Sequence, residues 1–224
     1  MRYSRLTLLI AAVLLGGCSR DGGEPDSPAI AVGAFAGERK PGWKLSPPAA
    51  DAKPVQATSK MPGIYPAGSV IPDRQALGGF GPCTNYPWEL ADQDWGADGA
   101  ISVVAFPDEP VAYFKHRGIA LRVINRTGKA VPFEACDSAL SLVREAQDAN
   151  GNWHAVETLP EPICGNSYHR VFLDADEYWQ FPAREYSGST VTKLRFRLNP
   201  GRGQPPIYSN EFEGQVSAEQ LNAK

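Results

Sequence analysis

Thr192-Lys193-Leu194-Arg195-Phe196-Arg197-Leu198 decides the fold class of this 224-residue chain. Apolar and polar residues alternate along it, and a period of two belongs to a β-strand, whose successive side chains point to opposite faces. Leu194, Phe196 and Leu198 are therefore expected on a core face, and Lys193, Arg195 and Arg197 on a solvated one. Working outward, the texture from Cys83 to Val216 is the same. Short runs of β-branched and aromatic residues recur between turn residues, and the spacing predicts strands at Ile101 to Phe106, Val111 to Phe114, Ile119 to Asn125, Leu140 to Gln147, Asn152 to Glu157, Tyr168 to Leu173, Tyr178 to Pro182, Thr190 to Leu198 and Ile207 to Val216. No helical period longer than three turns interrupts them. Asn125-Arg126-Thr127-Gly128 and Asn150-Gly151 are turn signals, the second of the type that favours two-residue hairpins.

Short antiparallel strands with such turns predict an all-β fold, and their number and spacing resemble an immunoglobulin-like antiparallel β-sandwich at the level of architecture. That resemblance carries no function with it, because such folds host many unrelated activities. The predicted domain spans residues 82–218, with residues 219–224 as a C-terminal tail. Ahead of it, residues 18–81 are rich in Gly, Pro, Ala and Ser, with Pro25, Pro28, Pro41, Pro47, Pro48, Pro54, Pro62, Pro66 and Pro72 scattered without period. Too little apolar surface is available there to offset the entropy of ordering, so a disordered, flexible linker is expected. Phe35, Trp43, Ile64, Tyr65 and Val70-Ile71 are apolar islands in it, of the kind that dock on a domain or a partner.

Residues 1–17 have the parts of an export signal: basic Arg2 and Arg5, an apolar core from Leu6 to Leu15, and small Gly16 and Gly17. The apolar core is about half the ~20 residues that span a bilayer. Leu15-Gly16-Gly17-Cys18 resembles the lipobox of bacterial lipoproteins. The resemblance implies cleavage before Cys18, diacylglycerol on its thiol, palmitate-type acylation of the new amine, and stable membrane anchoring through more than one chain. Ser19 in place of Asp resembles the outer-membrane default of such proteins, which implies a lipid-anchored location in the bacterial cell envelope.

With Cys18 taken by lipid, Cys83, Cys136 and Cys164 remain in an oxidising compartment, so one pair at most forms and one thiol is left over. If the hairpin turns about Asn150-Gly151, opposed positions sum to about 301, and Cys136 with Cys164 meets that sum. A Cys136 to Cys164 disulfide is therefore expected, with Cys83 bonding to either as the competitor. Cys83, in Gly81-Pro82-Cys83-Thr84-Asn85-Tyr86-Pro87, is otherwise a buried thiol or a contact with another chain.

The remaining residues exclude more than they assign. His116, His154 and His169 lack the short spacings of a zinc site, and Asp148-Ala149-Asn150-Gly151-Asn152 lacks the closing glutamate of a calcium loop, so no metal or other cofactor is expected. There is no Gly-x-Ser-x-Gly elbow; Cys164 with His169 would need a free thiol, and Asp174, Asp176 and Glu177 read as a solvated turn, so no enzyme is expected. Net charge is −3, and aromatics do not interleave with Lys193, Arg195 and Arg197, which excludes a nucleic-acid face. Those cations are expected to pair with Glu211 and Glu213 on the next strand. Trp153, Tyr168, Tyr178 and Trp179 are candidates for a sugar platform, but Tyr178 and Trp179 must point to opposite faces. In Asn199-Pro200-Gly201-Arg202-Gly203-Gln204-Pro205-Pro206, Arg202 sits on an exposed loop of the kind that carries recognition. The sequence thus predicts an envelope-tethered, non-catalytic binding or scaffolding module with an unknown ligand, the alternatives being a protease inhibitor acting through Arg202 and a structural envelope protein.

Overall fold

A computed structural model describes residues 42–162 and 166–222. In chain order they form β1 (Val55–Gln56), β2 (Met61–Pro62), β3 (Trp88–Glu89), β4 (Ile101–Tyr113), β5 (His116–Asn125), β6 (Val131–Cys136), β7 (Ala139–Leu140), β8 (Leu142–Gln147), β9 (Trp153–Ala155), β10 (Glu157–Thr158), β11 (Tyr168–Leu173), β12 (Glu177–Arg184), β13 (Tyr186–Ser187), β14 (Thr190–Leu198), β15 (Ile207–Tyr208), β16 (Phe212–Val216) and the short helix α1 (Ala218–Asn222). The fold is all-β. One antiparallel sheet runs β3-β12-β5-β4, a second runs β15-β14-β8-β9 with β16 also on β14, and a third, smaller one runs β11-β6-β7.

The alternation that opened the argument holds in β14: Leu194, Phe196 and Leu198 are buried while Lys193 is exposed. One core joins the layers, with Val103, Leu121, Trp179 and Phe181 from the first sheet meeting Leu142, Phe196 and Leu198 from the second, and Phe133 and Val171 from the third. Phe133 meets Trp179 edge-on at 5.5 Å. The salt-laced outer face divides differently from expectation. Lys193 pairs with Glu211 at 3.0 Å, but Arg195 and Arg197 both turn to Glu145 on β8, each at 2.8 Å. Glu145 lies opposite Arg195 in the β8–β14 ladder, whereas the β14–β16 ladder ends at Leu194 and Phe212, one step short of Arg195.

Several element boundaries differ from those expected: Leu140 to Gln147, Asn152 to Glu157 and Ile207 to Val216 each fall into two short strands, β7 and β8, β9 and β10, and β15 and β16. Ile101 to Tyr113 is one strand, not two, because the Pro107-Asp108-Glu109-Pro110 interruption is absorbed as a bulge between Phe106 and Pro110. Val131 to Cys136 is a strand despite Pro132, paired residue for residue with β11. The hairpin between β8 and β9 closes with Gln147 opposite Trp153, so its loop is Asp148 to Asn152 and not a two-residue turn. Asp148 Oδ1 accepts the backbone N–H groups of Asn150 and Asn152, at 2.8 and 2.9 Å, and organises that loop from within. The tail is also partly structured: Ser217 and Gln220 cap α1 reciprocally, at 3.1 and 3.2 Å, and Leu221 packs on the cluster of Ala146, Val156, Leu194 and Val216.

The expected linker through Gly81 is corrected from Gly42 onward; the part before Gly42 lies outside the described residues. Residues 42–81 are a strap bound across the sheets. Val55 pairs in parallel with Tyr186, and Met61 with Glu157. Tyr65 is buried and meets Phe181 of the first sheet at 5.9 Å and Phe196 of the second at 6.0 Å, both edge-on. Its hydroxyl donates to Glu157 Oε2 at 2.8 Å, and the Tyr186 hydroxyl donates to Oε1 at 3.1 Å. Burial first, and then the Glu157 carboxylate, hold both phenols well above their usual range, so they stay donors. The strap binds largely through its carbonyls. Pro62 accepts from Arg184 at 2.7 Å, Pro66 from Asn85 at 3.0 Å, and Gly68 from the Trp179 indole at 2.8 Å. Proline removes a donor without removing the acceptor and restricts the unfolded chain, so few contacts suffice to order such a segment.

Candidate functional site

The hairpin of β4 and β5 ends with Tyr113 opposite His116, leaving Phe114-Lys115 as its tip. Phe114 is 88% exposed and has φ +53°. Two-residue hairpin tips require φ > 0 and usually hold Gly, Asn or Asp, because a bulky side chain is strained there. An aromatic ring held in water at a position better suited to glycine is a surface feature that the fold does not require, and outliers of this kind collect at contact sites.

Around it lies an apolar groove of about 250 Å³, lined by Phe114, Tyr113, Trp43, Ile64, Pro66 and Pro182. Trp43 is 38% and Ile64 53% exposed, so three large apolar side chains open to solvent side by side. The wall is held firmly. Trp43 donates its backbone N–H to Asn85 Oδ1 and its indole N–H to Thr84 Oγ1, each at 3.0 Å, while its carbonyl accepts from Gln180 at 2.8 Å. Asn85 is fully buried and donates to the carbonyls of Pro66 and Gln180, each at 3.0 Å, tying strap to sheet. Exposed Lys44 and Lys115 neighbour Trp43 and Phe114 in the chain, and the Arg184 guanidinium lies 4.9 Å over the Tyr113 ring. A preformed apolar groove suits an apolar segment of another molecule, since little ordering is left to do on binding.

The residues singled out in the sequence are scattered. Cys18 and Cys164 lie outside the described residues. Cys136 is buried at the end of β6, opposite Tyr168 and Ala139, so the β8–β9 hairpin ladder on which the pairing argument rested does not reach it. The chain turns away at Asp137 and Ser138, both at positive φ. Among the described residues no disulfide is present, and the competing Cys83 bond to Cys136 is not formed. The Cys83 thiol is half-buried, accepts the Asn85 N–H at 3.3 Å, and is held by burial above the usual thiol range, which keeps it protonated and poorly nucleophilic. Arg202 is exposed, as expected of its loop, but the backbone is a turn, with Gln204 N–H donating to the Gly201 carbonyl at 3.2 Å and Arg202 N–H to Glu134 at 3.2 Å. A protease cleft takes an extended segment, which this is not.

Of the catalytic candidates, His169 is brought next to Ser138, Nε2 to Oγ at 3.4 Å, a pairing the sequence did not suggest. Both are buried, His169 is stacked at 3.7 Å under Phe80, and the Ser138 hydroxyl donates to the Gly81 carbonyl at 2.7 Å, so no substrate reaches the pair. His154 instead meets Asp148 at 2.8 Å, and that bond holds the Asp148 carboxyl down to about 2. Glu177 is buried and accepts the Asp174 N–H at 3.2 Å, a turn rather than an acid–base pair. Trp179 is core, and Trp153 stacks on Arg195 at 4.1 Å. The groove at Phe114 escaped the sequence reading because its six residues come from four separate segments; an aromatic in place of Gly at a tight hairpin was the one available signal. No family model, no curated protein and no solved structure matches this chain.

Proposed function

We propose that the protein is a lipid-anchored, non-catalytic binding module of the bacterial envelope, built on an immunoglobulin-like sandwich, and that it engages a protein partner through the groove at Phe114. Cys18 is the anchor in this reading, and an outer-membrane site follows from Ser19. The observation that carries the reading is Phe114 itself, exposed and at positive φ beside the open faces of Trp43 and Ile64. The Arg202 turn gives the inhibitor alternative less support, and a purely structural role leaves the strained aromatic without a reason.

The test is a photo-crosslinking phenylalanine analogue placed at position 114, and separately at 202, in the full-length chain in its native cells. A discrete adduct with one envelope protein at 114, whose purified form loses at least tenfold in affinity for the Phe114→Gly variant, is the expected result. Adducts at 202 alone would move the site to the loop, and none at either position would end the binding-module reading. Cys18→Ala is expected to shift the chain from the membrane to the soluble fraction.

A further inference from the structure

Among the described residues, three arginines lie across pairs of aromatic rings. Arg122 lies 4.2 Å from Trp95 and 4.3 Å from Phe106, and is held bidentately by Glu109 at 2.8 and 2.6 Å. Arg195 lies 4.1 Å from Trp153 and 4.0 Å from Tyr208, and is held by Glu145 at 2.8 Å. Arg144 lies 5.1 Å from Tyr186 and 4.8 Å from Phe196, is only 1% exposed, and meets no carboxylate. Its Nε and Nη2 have no hydrogen-bond partner. These two groups form the edge of a guanidinium that receives a carboxylate side-on.

The nearest acid is already engaged. Glu157 accepts the hydroxyls of Tyr65 and Tyr186 and the backbone N–H of Arg144, the last at 3.1 Å, and makes no ion pair with the guanidinium. A buried cation with no ion pair and two of its three nitrogens lacking a hydrogen bond is costly, and ring contacts recover only part of that cost. Arg144 also stands in phase with Leu142 and Ala146 on β8, a core-facing position where an apolar residue would do for packing alone.

Arg144 lines a cavity of about 320 Å³, close to the small end of ligand-binding pockets. Arg117 and Arg184 share its polar wall, and Ile119, Leu194 and Phe212 form an apolar one. The acids of the wall are Glu185, paired with Arg117 at 3.1 Å, and Glu213. With Glu157 beside Arg144 the three cations are matched in number by three carboxylates, but none of these meets the Nε–Nη2 edge of Arg144. We propose that this cavity binds a small molecule bearing a single carboxylate, received by Arg144, with an apolar body against Ile119, Leu194 and Phe212. One open guanidinium edge in a wall otherwise balanced in charge favours a monoanion over a phosphate dianion, and the apolar wall favours a body larger than acetate. This site uses none of the residues lining the Phe114 groove and stands or falls apart from it.

The test is calorimetric titration of the full-length chain with benzoate and, separately, with inorganic phosphate, at matched ionic strength in chloride. Saturable binding of benzoate, absent for phosphate, is expected. Arg144→Met should weaken benzoate by about tenfold or more, as expected for loss of hydrogen bonds to a charged group. Met replaces an unpaired cation with a side chain of similar length, so the fold should survive. Should that variant not fold, Val191→Trp decides: Val191 lines the cavity and is 60% exposed, so the indole should block entry without touching the core. Benzoate binding that persists in either folded variant, phosphate binding in preference to benzoate, or no saturable binding of either, overturns the proposal.

Discussion

The strap of residues 42–81 and the strand Thr190–Leu198 bury side chains in one core by opposite means. The strand places Leu194, Phe196 and Leu198 by strict alternation, and its backbone bonds to neighbours on both sides. The strap alternates only briefly, at Val55 and Ala57 and again at Gly63, Tyr65 and Ala67. It contributes Tyr65 and Ala67 to that core and Val55 to a small cluster with Ala57 and Tyr186, and otherwise binds through scattered backbone N–H groups and carbonyls and the Asp73 carboxylate. The difference teaches that a proline-rich segment can belong to a core when each of its few contacts is made with a buried group, because its unfolded state has less entropy to lose.

The sharpest way to break this comparison is to truncate one aromatic from each side. Tyr65→Ala and Phe196→Ala should each cost about 3–5 kcal/mol in denaturant unfolding, because both empty a space at the junction of the sheets. Tyr65→Ala also removes a donor from the buried Glu157 carboxylate. A cost below about 1 kcal/mol for Tyr65→Ala, with the full cost for Phe196→Ala, would make the strap a dressing rather than part of the core. Next in size is Asn85→Ala. It strips partners from the carbonyls of Pro66 and Gln180 and from the Trp43 N–H, and should cost about 2–3 kcal/mol. Amide exchange should rise in the strap before it rises in the strands around Phe181, whereas a uniform rise would mean that the two regions open together.

The same contrast explains what could be read in the sequence. The core face of Thr192–Leu198 followed from alternation, while the all-β class and the bounds of Tyr168–Leu173 followed from β-branched and aromatic runs between turn residues. The strap did not, because the residues in phase with Tyr65 are Gly63 and Ala67, too small to mark a core face in the sequence, and partners far along the chain, Phe181, Phe196 and Glu157, make it core. Val131–Cys136 was hidden by Pro132, which the pairing with Phe172 accommodates. Arg144 was legible in principle as a cation in an apolar phase, but its lack of a carboxylate depends on where Glu157 points. The Phe114 groove draws on residues separated by more than a hundred positions, and no local pattern encodes that assembly.

A smaller effect separates the strap's charged contact from its apolar ones. Arg170 bonds Asp73 at 2.6 Å and holds its carboxyl down to about 2 from an ordinary 3.8. A depressed carboxyl stabilises the fold above its unfolded value, so this contribution is complete above about pH 4 and is lost as pH falls toward 2. With solvent screening at the half-exposed Arg170 it should amount to about 1 kcal/mol. Asp73→Asn should lower stability by that amount at pH 7 and flatten the acid limb between pH 4 and 2. An unchanged limb in the variant would place the acid sensitivity elsewhere.

The smallest expected change has the opposite sign and bears on function. Phe114 is at φ +53° and almost wholly exposed, so its ring gives the fold little beyond an edge contact with Tyr113 at 5.1 Å. Glycine adopts that backbone without strain, and Phe114→Gly should stabilise the chain by about 0.5–1 kcal/mol, net of glycine's greater unfolded entropy. The Trp43 and Ile64 faces should stay as they are, because their supports come from Thr84, Asn85 and Gln180. A variant that melts higher yet loses its crosslinked partner would show stability given up for contact at the hairpin tip, the pattern expected when a strained residue serves binding. One that melts lower would mean that the ring supports the hairpin, and the argument from strain to function would fail at its first step.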